Sequence, residues 1–212
     1  MATLLLRLAG PLQSWGVDSK FEIRDTLDFP TKSGVIGLLA AALGYSRGES
    51  LDRLNALNFG VRIDREGERL TDYHTAKGKK DKDAYITRRI YLADAVFLVG
   101  LESDDSVFLE ELQDALKAPA YPLYLGRRSC VPEMPLVIGI RDTSLLMTLK
   151  NEPSQLSDWQ KKTIADKKLR IITDSEIPDP SAILTDFPVS FSQKHRQFVP
   201  RSVKAHDAFA EI

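Results

Sequence analysis

Apolar positions recur with two different periods along the first two thirds of the chain, and the changes between them predict an order of strands and helices. Short apolar or alternating runs predict four strands, at residues 3–8, 59–65, 94–101 and 136–140. A helix is predicted over residues 33–43, because a hydroxyl cap precedes this apolar run and Gly44 follows it. A second helix begins at Asp105 or Ser106, where the apolar spacing becomes helical.

The predicted order is strand, helix, strand, strand, helix, strand, which is that of a split βαβ unit. The sequence therefore predicts an α+β protein with a ferredoxin-like, or RRM-like, βαββαβ body at residues 1–141. Residues 142–212 are expected to form a β-rich C-terminal extension packed on that body. Within it, residues 158–170 indicate a basic helix or hairpin, and residues 187–191 an edge strand because they contain a proline.

An insertion between the two middle strands, residues 70–92, is predicted to form a protruding hairpin. Its flanks are rich in Thr, Tyr and Ile, which suit paired strands. From Lys77 to Arg89 there are six basic and two acidic residues, a net charge of +4. A basic hairpin can reach a polyanion such as a nucleic acid, although the composition fits a solvated loop equally well.

The loop at residues 124–130 carries the most specific candidate chemistry. Pairs of prolines bracket it, so a rigid loop is predicted. Arg127 and Arg128 supply guanidinium groups that match phosphate geometry, Gly126 permits close backbone approach, and Tyr124 offers a face for an unpaired base. The alternative is an exposed basic loop whose arginines pair with neighbouring carboxylates.

Two other segments offer candidate contacts to a nucleic acid. Lys32, Ser33 and Gly34 stand at a predicted helix N-terminus, where unpaired amides favour an anion, although capping alone explains the hydroxyl groups. Gln13 and Trp15 lie between two glycines and are candidates for base contacts. An isolated tryptophan is more often packed in the core.

Composition narrows the class of protein. The 212 residues include 29 basic and 30 acidic side chains, a net charge of −1, whereas a free-standing, non-specific nucleic-acid binder is usually strongly basic. A subunit with one local basic surface remains compatible with this balance. The single cysteine cannot form an internal disulfide, and since no Cys/His spacing suits zinc, we expect neither a metal nor another cofactor. The longest apolar run is too short to span a bilayer, so we expect a cytoplasmic protein with no membrane partner.

Catalytic motifs for hydrolases, metalloenzymes and dinucleotide-binding enzymes are absent from the sequence. Tyr73, His74 and Lys77 supply the residue types that cleave RNA without a metal. A histidine beside a tyrosine in a hairpin arm is more often a hydrogen-bonding or stacking residue. Catalysis is therefore the alternative interpretation.

Five motifs that occur in order identify a resemblance. They are LAGPLQSWG at residues 8–16, FPTKSG at 29–34, DYHT at 72–75, RIYL at 89–92 and YLGRRSC at 124–130. Together they resemble the CasD-type subunits of the type I-E CRISPR Cascade complex, which belong to the CRISPR-associated RAMP superfamily. The resemblance is dense over residues 3–141, and afterwards only residues 196–198 are suggestive.

The resemblance implies a non-catalytic subunit of a ribonucleoprotein complex for antiviral defence, which binds and caps the 5′ handle of the guide RNA (crRNA). Its implied partners are the Cascade backbone subunits and the large PAM-reading subunit, with target DNA bound by the assembled complex. Residues 70–92 would be a thumb, and residues 125–129 the loop that grips the handle. The implied RNA-binding residues are Gln13, Trp15, Lys32, Ser33, Gly34, Tyr73, His74, Arg88, Arg89, Tyr124, Gly126, Arg127, Arg128 and Ser129. In the related type I-C branch this subunit is the nuclease, which makes a CRISPR-repeat endoribonuclease using Tyr73, His74 and Lys77 the alternative.

Overall fold

The secondary structure is known from a computed structural model that describes residues 1–16, 23–77, 84–163, 168–175, 177 and 182–209. The strands in these ranges are β1 (Ala2–Ala9), β2 (Leu12–Gln13), β3 (Ile23–Arg24), β4 (Asn58–Arg65), β5 (Glu68–Ala76), β6 (Tyr85–Ala93), β7 (Val96–Ser103), β8 (Val137–Arg141), β9 (Lys168–Asp174), β10 (Ile183–Ser190) and β11 (Gln197–Phe209). The helices are α1 (Lys32–Leu43), α2 (Asp52–Asn55), α3 (Ser106–Lys117), α4 (Leu145–Asn151) and α5 (Asp158–Thr163). The α+β class is confirmed, and the four strands and two helices predicted from apolar periodicity are present within two residues of their expected bounds.

A seven-stranded antiparallel sheet in the order β10-β11-β9-β4-β7-β1-β8 organises the molecule. β1 lies between β7 and β8, with Ala2 opposite Ser103 and Ala9 opposite Val96. Its side chains are buried on both faces of the sheet, which explains why its sequence is continuously apolar rather than alternating.

Helices cover both faces of this sheet. α1 begins where the Thr31 hydroxyl accepts a hydrogen bond from the backbone N–H of Gly34, and it ends at Gly44 with φ 80°. α1 and α3 pack together over the larger core cluster, while α4 inserts Leu145 and Leu149 against the opposite face. Within the described residues, no helix has both the length and the apolar character that crossing a membrane requires.

The C-terminal strands continue the same sheet from the edge of β4, so residues on both sides of position 141 share one sheet. β10 is the outermost strand, and it contains Pro188, which confirms the edge strand that this proline predicts. The expected helix or hairpin at residues 158–170 resolves into α5 and the start of β9, while residues 164–167 lie outside the described residues.

Four charged residues link this C-terminal part to the start of α1. We call them the ion network, and they are Lys32, Asp174, Asp186 and Arg201. The Lys32 Nζ atom lies 2.7 Å from Asp174 Oδ2. Arg201 donates to Asp174 at 2.5 Å and forms a fork to Asp186 at 2.6 and 3.0 Å. Asp186 also accepts the backbone N–H of Lys32 at 2.8 Å, so the network joins α1 to three strands.

A smaller sheet projects from the body and is built on the β5–β6 hairpin, in which Glu68 pairs with Ala93 and Ala76 with Tyr85. The predicted basic tip at residues 78–83 lies outside the described residues. β3 runs parallel to β6, with Ile23 beside Arg88 and Arg24 beside Arg89.

Since side chains alternate between the two faces of a strand, this register sorts the hairpin residues into two sets. One face carries Arg24, His74, Arg89 and Tyr91, and we call it the Tyr91 face. The opposite face carries Tyr73 and Arg88, and we call it the Tyr73 face.

Candidate nucleic-acid interface

A cleft of about 410 Å³ opens beside the N-terminus of α1. Its described lining consists of Ser14, Trp15, Gly16, Arg24, Thr31, Ser33, Gly34, Gly126, Arg127, Phe191 and Arg196. This lining contains three arginines and no carboxylate, and we call it the arginine cleft. Guanidinium groups around hydroxyls and an aromatic ring suit an anionic ligand with flat, stackable parts.

The three arginines come from distant parts of the chain. Arg24 lies on β3, Arg127 on the loop that follows α3, and Arg196 between β10 and β11. None of the three forms an ion pair with a carboxylate of the described residues. Their charge is therefore left for a ligand to neutralise.

Backbone hydrogen bonds hold the loop at residues 124–130 against the body. The Leu125 carbonyl accepts from Ser14 N at 3.1 Å, and Leu125 N donates to the Cys130 carbonyl at 2.7 Å. Gly126 has φ 89°, and a Cβ atom there would lie 1.7 Å from the Ser14 carbonyl oxygen. The glycine is thus required by the protein's own backbone, and the close approach of RNA is not needed to explain it.

The side chains of this loop differ in their surroundings. The Arg127 guanidinium lies 4.6 Å from the centre of the Tyr91 ring, and its Nη2 atom donates to the Arg24 carbonyl at 2.7 Å. Arg128 and Ser129 are exposed, and Tyr124 is half-buried. No described carboxylate pairs with Arg127 or Arg128, so the alternative of a loop neutralised by neighbouring acids finds no ion pair in this part of the structure.

Lys32 requires a correction. The prediction that it binds a phosphate is wrong, because its side chain is buried at 4% exposure and its ammonium donates to Asp174 and to the Leu57 carbonyl at 3.1 Å. The carboxylate of Asp186 moreover already sits at the start of α1, where it balances the positive end of the helix dipole.

Gln13 and Trp15 also require a correction. The Gln13 amide is fully buried and donates to the carbonyls of Leu8 and Ala95 at 3.1 and 2.8 Å. The indole N–H of Trp15 donates to Gln13 Oε1 at 3.1 Å, and the residue borders the cleft with only 1% of its surface exposed. Neither side chain is free to contact a base, and the core-packing alternative is the one observed.

Gly34 and Ser33, which were also predicted to contact a nucleic acid, have different surroundings. A Cβ atom at Gly34 would lie 2.8 Å from the Trp15 ring, so this glycine accommodates the buried indole. Ser33 is half-buried and lines the arginine cleft. The sequence does not single out Arg24 or Phe191, because an isolated arginine and a phenylalanine next to an edge strand carry no local signal, and it includes Arg196 only in the suggestive segment at residues 196–198.

The hairpin residues do not enter the arginine cleft. Tyr73 is 65% exposed, with the Arg88 guanidinium 5.7 Å from its ring centre, and both lie on the Tyr73 face. His74 is exposed on the Tyr91 face, so these two consecutive side chains point in opposite directions. Arg89 lies on the Tyr91 face beside the loop at residues 124–130.

Comparisons with a protein-family profile and with a known protein agree with each other. The profile of the family described as "CRISPR-associated protein (Cas_Cas5)" matches residues 3–204. The "CRISPR system Cascade subunit CasD" of Escherichia coli (strain K12) is 40% identical over 156 residues, which cover 64% of this chain and 70% of that protein.

Solved structures agree with this match. A chain of a "CRISPR RNA-guided surveillance complex" has a TM-score of 0.82 at 36% identity, and the alignment covers 98% of this chain and 90% of that one. A structure titled "Crystal structure of Cas protein" has a TM-score of 0.76 at 40% identity, covering 99% and 96% of the two chains.

Proposed function

This chain belongs to the Cas5 family of CRISPR-associated proteins, and from that premise we propose that it is a non-catalytic subunit of a type I-E CRISPR surveillance complex. In this role it binds and caps the 5′ handle of the guide RNA and contacts the neighbouring backbone subunits and the large subunit. The relatedness to the E. coli Cascade subunit and to a chain of a surveillance complex supports the assignment. The observation that carries the RNA-binding part is the arginine cleft, with three guanidinium groups and no carboxylate in its described lining.

We also propose that the body is ferredoxin-like and that the β5–β6 hairpin is the thumb. The four central strands stand in the order β4-β7-β1-β8, which in chain order is second, third, first, fourth, and α1 and α3 pack on the same face. The hairpin leaves Tyr73, Tyr85 and Ile86 about two thirds exposed, as expected of an element that meets a partner. Residues 1–141 would form the body, and residues 142–212 the extension that completes the cleft.

Each cleft residue has a role in this proposal. Arg24, Arg127 and Arg196 neutralise phosphates of the handle, and the Ser33 hydroxyl hydrogen-bonds to a phosphate or sugar oxygen. Phe191 offers a ring for an unpaired base. Arg128 and Ser129 extend the contact over the exposed surface of the loop.

The alternative, a metal-independent endoribonuclease, needs Tyr73, His74 and Lys77 around one scissile phosphate. Since Tyr73 and His74 lie on opposite faces of the hairpin, they are poorly placed to act on one reacting group. Burial raises the pKa of the Cys130 thiol, which makes it a poor nucleophile as well. These observations favour the non-catalytic role.

The test is to incubate the purified chain with the repeat RNA of its own CRISPR locus in EDTA and to measure binding and cleavage together. We expect the RNA to stay intact, and we expect Arg24→Gln/Arg196→Gln to weaken binding at least tenfold, because each arginine provides a charge-assisted contact. Arg47→Gln, which removes an exposed charge outside the cleft, is the control. Site-specific cleavage that is lost in His74→Ala would favour the nuclease instead, and unchanged binding in the double variant would reject the cleft as the RNA site.

A further inference from the structure

Trp159, which lies on α5, presents its indole ring to solvent. It is 60% exposed, whereas Trp15, the other tryptophan of the chain, is 1% exposed. A ring left at the surface forgoes most of the packing by which tryptophan stabilises a fold. The core therefore does not explain Trp159, and its surroundings have to be considered.

The helix that carries this indole is fixed at its start. Ser157 directly precedes α5, and its backbone N–H donates to Gln160 Oε1 at 2.9 Å, as in a capping box. The backbone N–H of Gln155 donates to Asp64 Oδ2 at 2.6 Å, and Asp64 is buried on β4. These bonds tie the start of α5 to the main sheet, so the exposed ring of Trp159 is held in a defined position.

A guanidinium group with an unused donor lies over this ring. The Cζ atom of Arg65, the last residue of β4, is 5.8 Å from the centre of the Trp159 ring. Its Nη1 atom is buried and donates no hydrogen bond to the described residues. Buried polar atoms in folded proteins nearly always have a partner. An acceptor supplied from outside the chain is therefore expected next to the indole.

The charge beside the indole is positive. Lys162 is exposed and follows Trp159 by three residues, so the two side chains are neighbours on the surface of α5. Neither Arg65 nor Lys162 forms an ion pair with a carboxylate of the described residues. The acidic residue of this helix, Asp158, lies in its first turn, where it complements the helix dipole. The acceptor that fits these surroundings is an anion.

These features favour a nucleic acid over a protein as the ligand. Tryptophan and arginine are enriched in protein–protein interfaces, but lysine is depleted there. Sites for single-stranded nucleic acids combine exposed aromatic rings, on which bases stack, with basic side chains that follow the backbone. Trp159, Arg65 and Lys162 supply this combination.

We propose that Trp159, Arg65 and Lys162 form a second nucleic-acid site, which binds a single strand through one stacked base and its flanking phosphates. The base stacks on the open face of the indole, Arg65 Nη1 donates to a phosphate oxygen, and Lys162 neutralises a neighbouring phosphate. None of the three residues lines the arginine cleft. The site goes beyond the proposed function, because capping an RNA handle in the cleft does not require it. RNA and DNA strands share the chemistry that it recognises.

Tryptophan fluorescence tests the site on the full chain. The parent and Arg24→Gln/Arg196→Gln, in which the cleft is weakened, are titrated with single-stranded oligothymidylate and oligouridylate of about twelve nucleotides. We expect a stacked base to quench the indole emission in both proteins. This quenching should disappear in Trp159→Phe, which keeps only the buried Trp15. Tighter binding of oligouridylate identifies an RNA strand as the ligand, and tighter binding of oligothymidylate identifies a DNA strand.

Affinities across a salt series separate the three roles. Trp159→Ala should bind about tenfold more weakly with an unchanged log–log salt slope, because it removes a stacking ring and no charge. Arg65→Gln and Lys162→Gln should each flatten this slope by about 0.7, because each removes one phosphate contact. Val107→Ala, which truncates an exposed apolar side chain on α3, and Arg47→Gln, which removes an exposed charge, are the matched controls. Melting temperatures show that the variants are folded, and if Arg65→Gln is not, the exposed Lys162→Gln decides.

Three results would overturn the proposal. The first is an indole emission that no oligonucleotide quenches, and the second is an affinity that survives both Trp159→Ala and Lys162→Gln. The third is weaker binding of a purified backbone or large Cascade subunit by Trp159→Ala with unchanged oligonucleotide affinity, because the acceptor would then be a protein carboxylate. Failure of the parent to bind its repeat RNA would instead reject the proposed function, and quenching of Trp159 by the oligonucleotides would still support this site.

Discussion

The ion network and the arginine cleft both include residues at the start of α1, but their basic side chains have opposite surroundings. In the ion network, Lys32 and Arg201 are buried and meet the carboxylates of Asp174 and Asp186. In the cleft, the arginines form no ion pair with a carboxylate of the described residues. The difference teaches that the number of basic residues says little about nucleic-acid binding. What matters is whether the fold supplies each cation with its own anion.

The two regions therefore contribute to different free energies. Removing one partner of a buried pair leaves an uncompensated charge, so the ion network is coupled to the free energy of unfolding. Exposed arginines add little to stability, so under the proposed function the cleft is coupled to the free energy of RNA binding. Three variants test this division.

The largest effect is expected for Asp186→Ala. It leaves Arg201 without its fork and removes the acceptor for the backbone N–H of Lys32, which should lower the free energy of unfolding by about 3–5 kcal/mol. Urea denaturation measures the loss. Asp104→Ala, which removes an exposed partner of the N-terminal amine, is the control and should change little. An Asp186→Ala protein as stable as the parent would show that the network does not hold the C-terminal strands.

Arg127→Ala/Arg128→Ala should act mainly on RNA affinity. Two charge-assisted contacts at about 1.5 kcal/mol or more each amount to roughly 3 kcal/mol, and the log–log salt dependence should flatten by about 1.4 if each arginine neutralises its own phosphate. Binding titrations across a salt series measure both quantities.

Lysine at these two positions should restore only part of the affinity, since an ammonium group lacks the planar fork. A fall in melting temperature with unchanged RNA affinity would contradict the division, because these arginines would then belong with the stabilising charges.

The smallest effect is expected for Gly126→Ala, which should change both the stability of the protein and its RNA affinity. The new Cβ atom would meet the Ser14 carbonyl oxygen at a left-handed φ, so the loop must shift, at a cost of about 1–3 kcal/mol in stability. Because Arg127 moves with the loop, RNA affinity should fall as well. Gly48→Ala, with no atom within 4 Å of its Cβ position, is the control. Unfolding and binding measurements that both match the parent would mean that the loop tolerates displacement.

Sequence patterns predicted those parts of the fold that depend on near neighbours. Thr31 and Gly44 cap α1 as expected, and the four body strands follow from apolar runs long enough to distinguish from loops. The sequence does not predict β11, because this segment mixes charged and apolar residues. Its place depends on its partners rather than on its own pattern.

The candidate site was predictable only where one short segment contributes several of its residues. Gly126 and Arg127 stand together in the sequence and reach the cleft, whereas Arg24 and Arg196 are brought there by strands far apart in the chain. Lys32 was misassigned for the same reason, since its carboxylate partners lie 142 and 154 residues further along. A local motif cannot show which of its cations a distant carboxylate will neutralise.

Because C-terminal residues complete both the ion network and the arginine cleft, these two regions form late during synthesis of the chain. While the ribosome is still making β9, the start of α1 has neither Asp186 nor Arg201 beside it, and the cleft lacks Phe191 and Arg196. The body strands are by then already synthesised, so the nascent chain contains most of the core residues while the cleft still lacks part of its lining. Addition of β11 then supplies Arg201 to the ion network, so under the proposed function guide RNA meets a fully lined cleft only after β11 has been made.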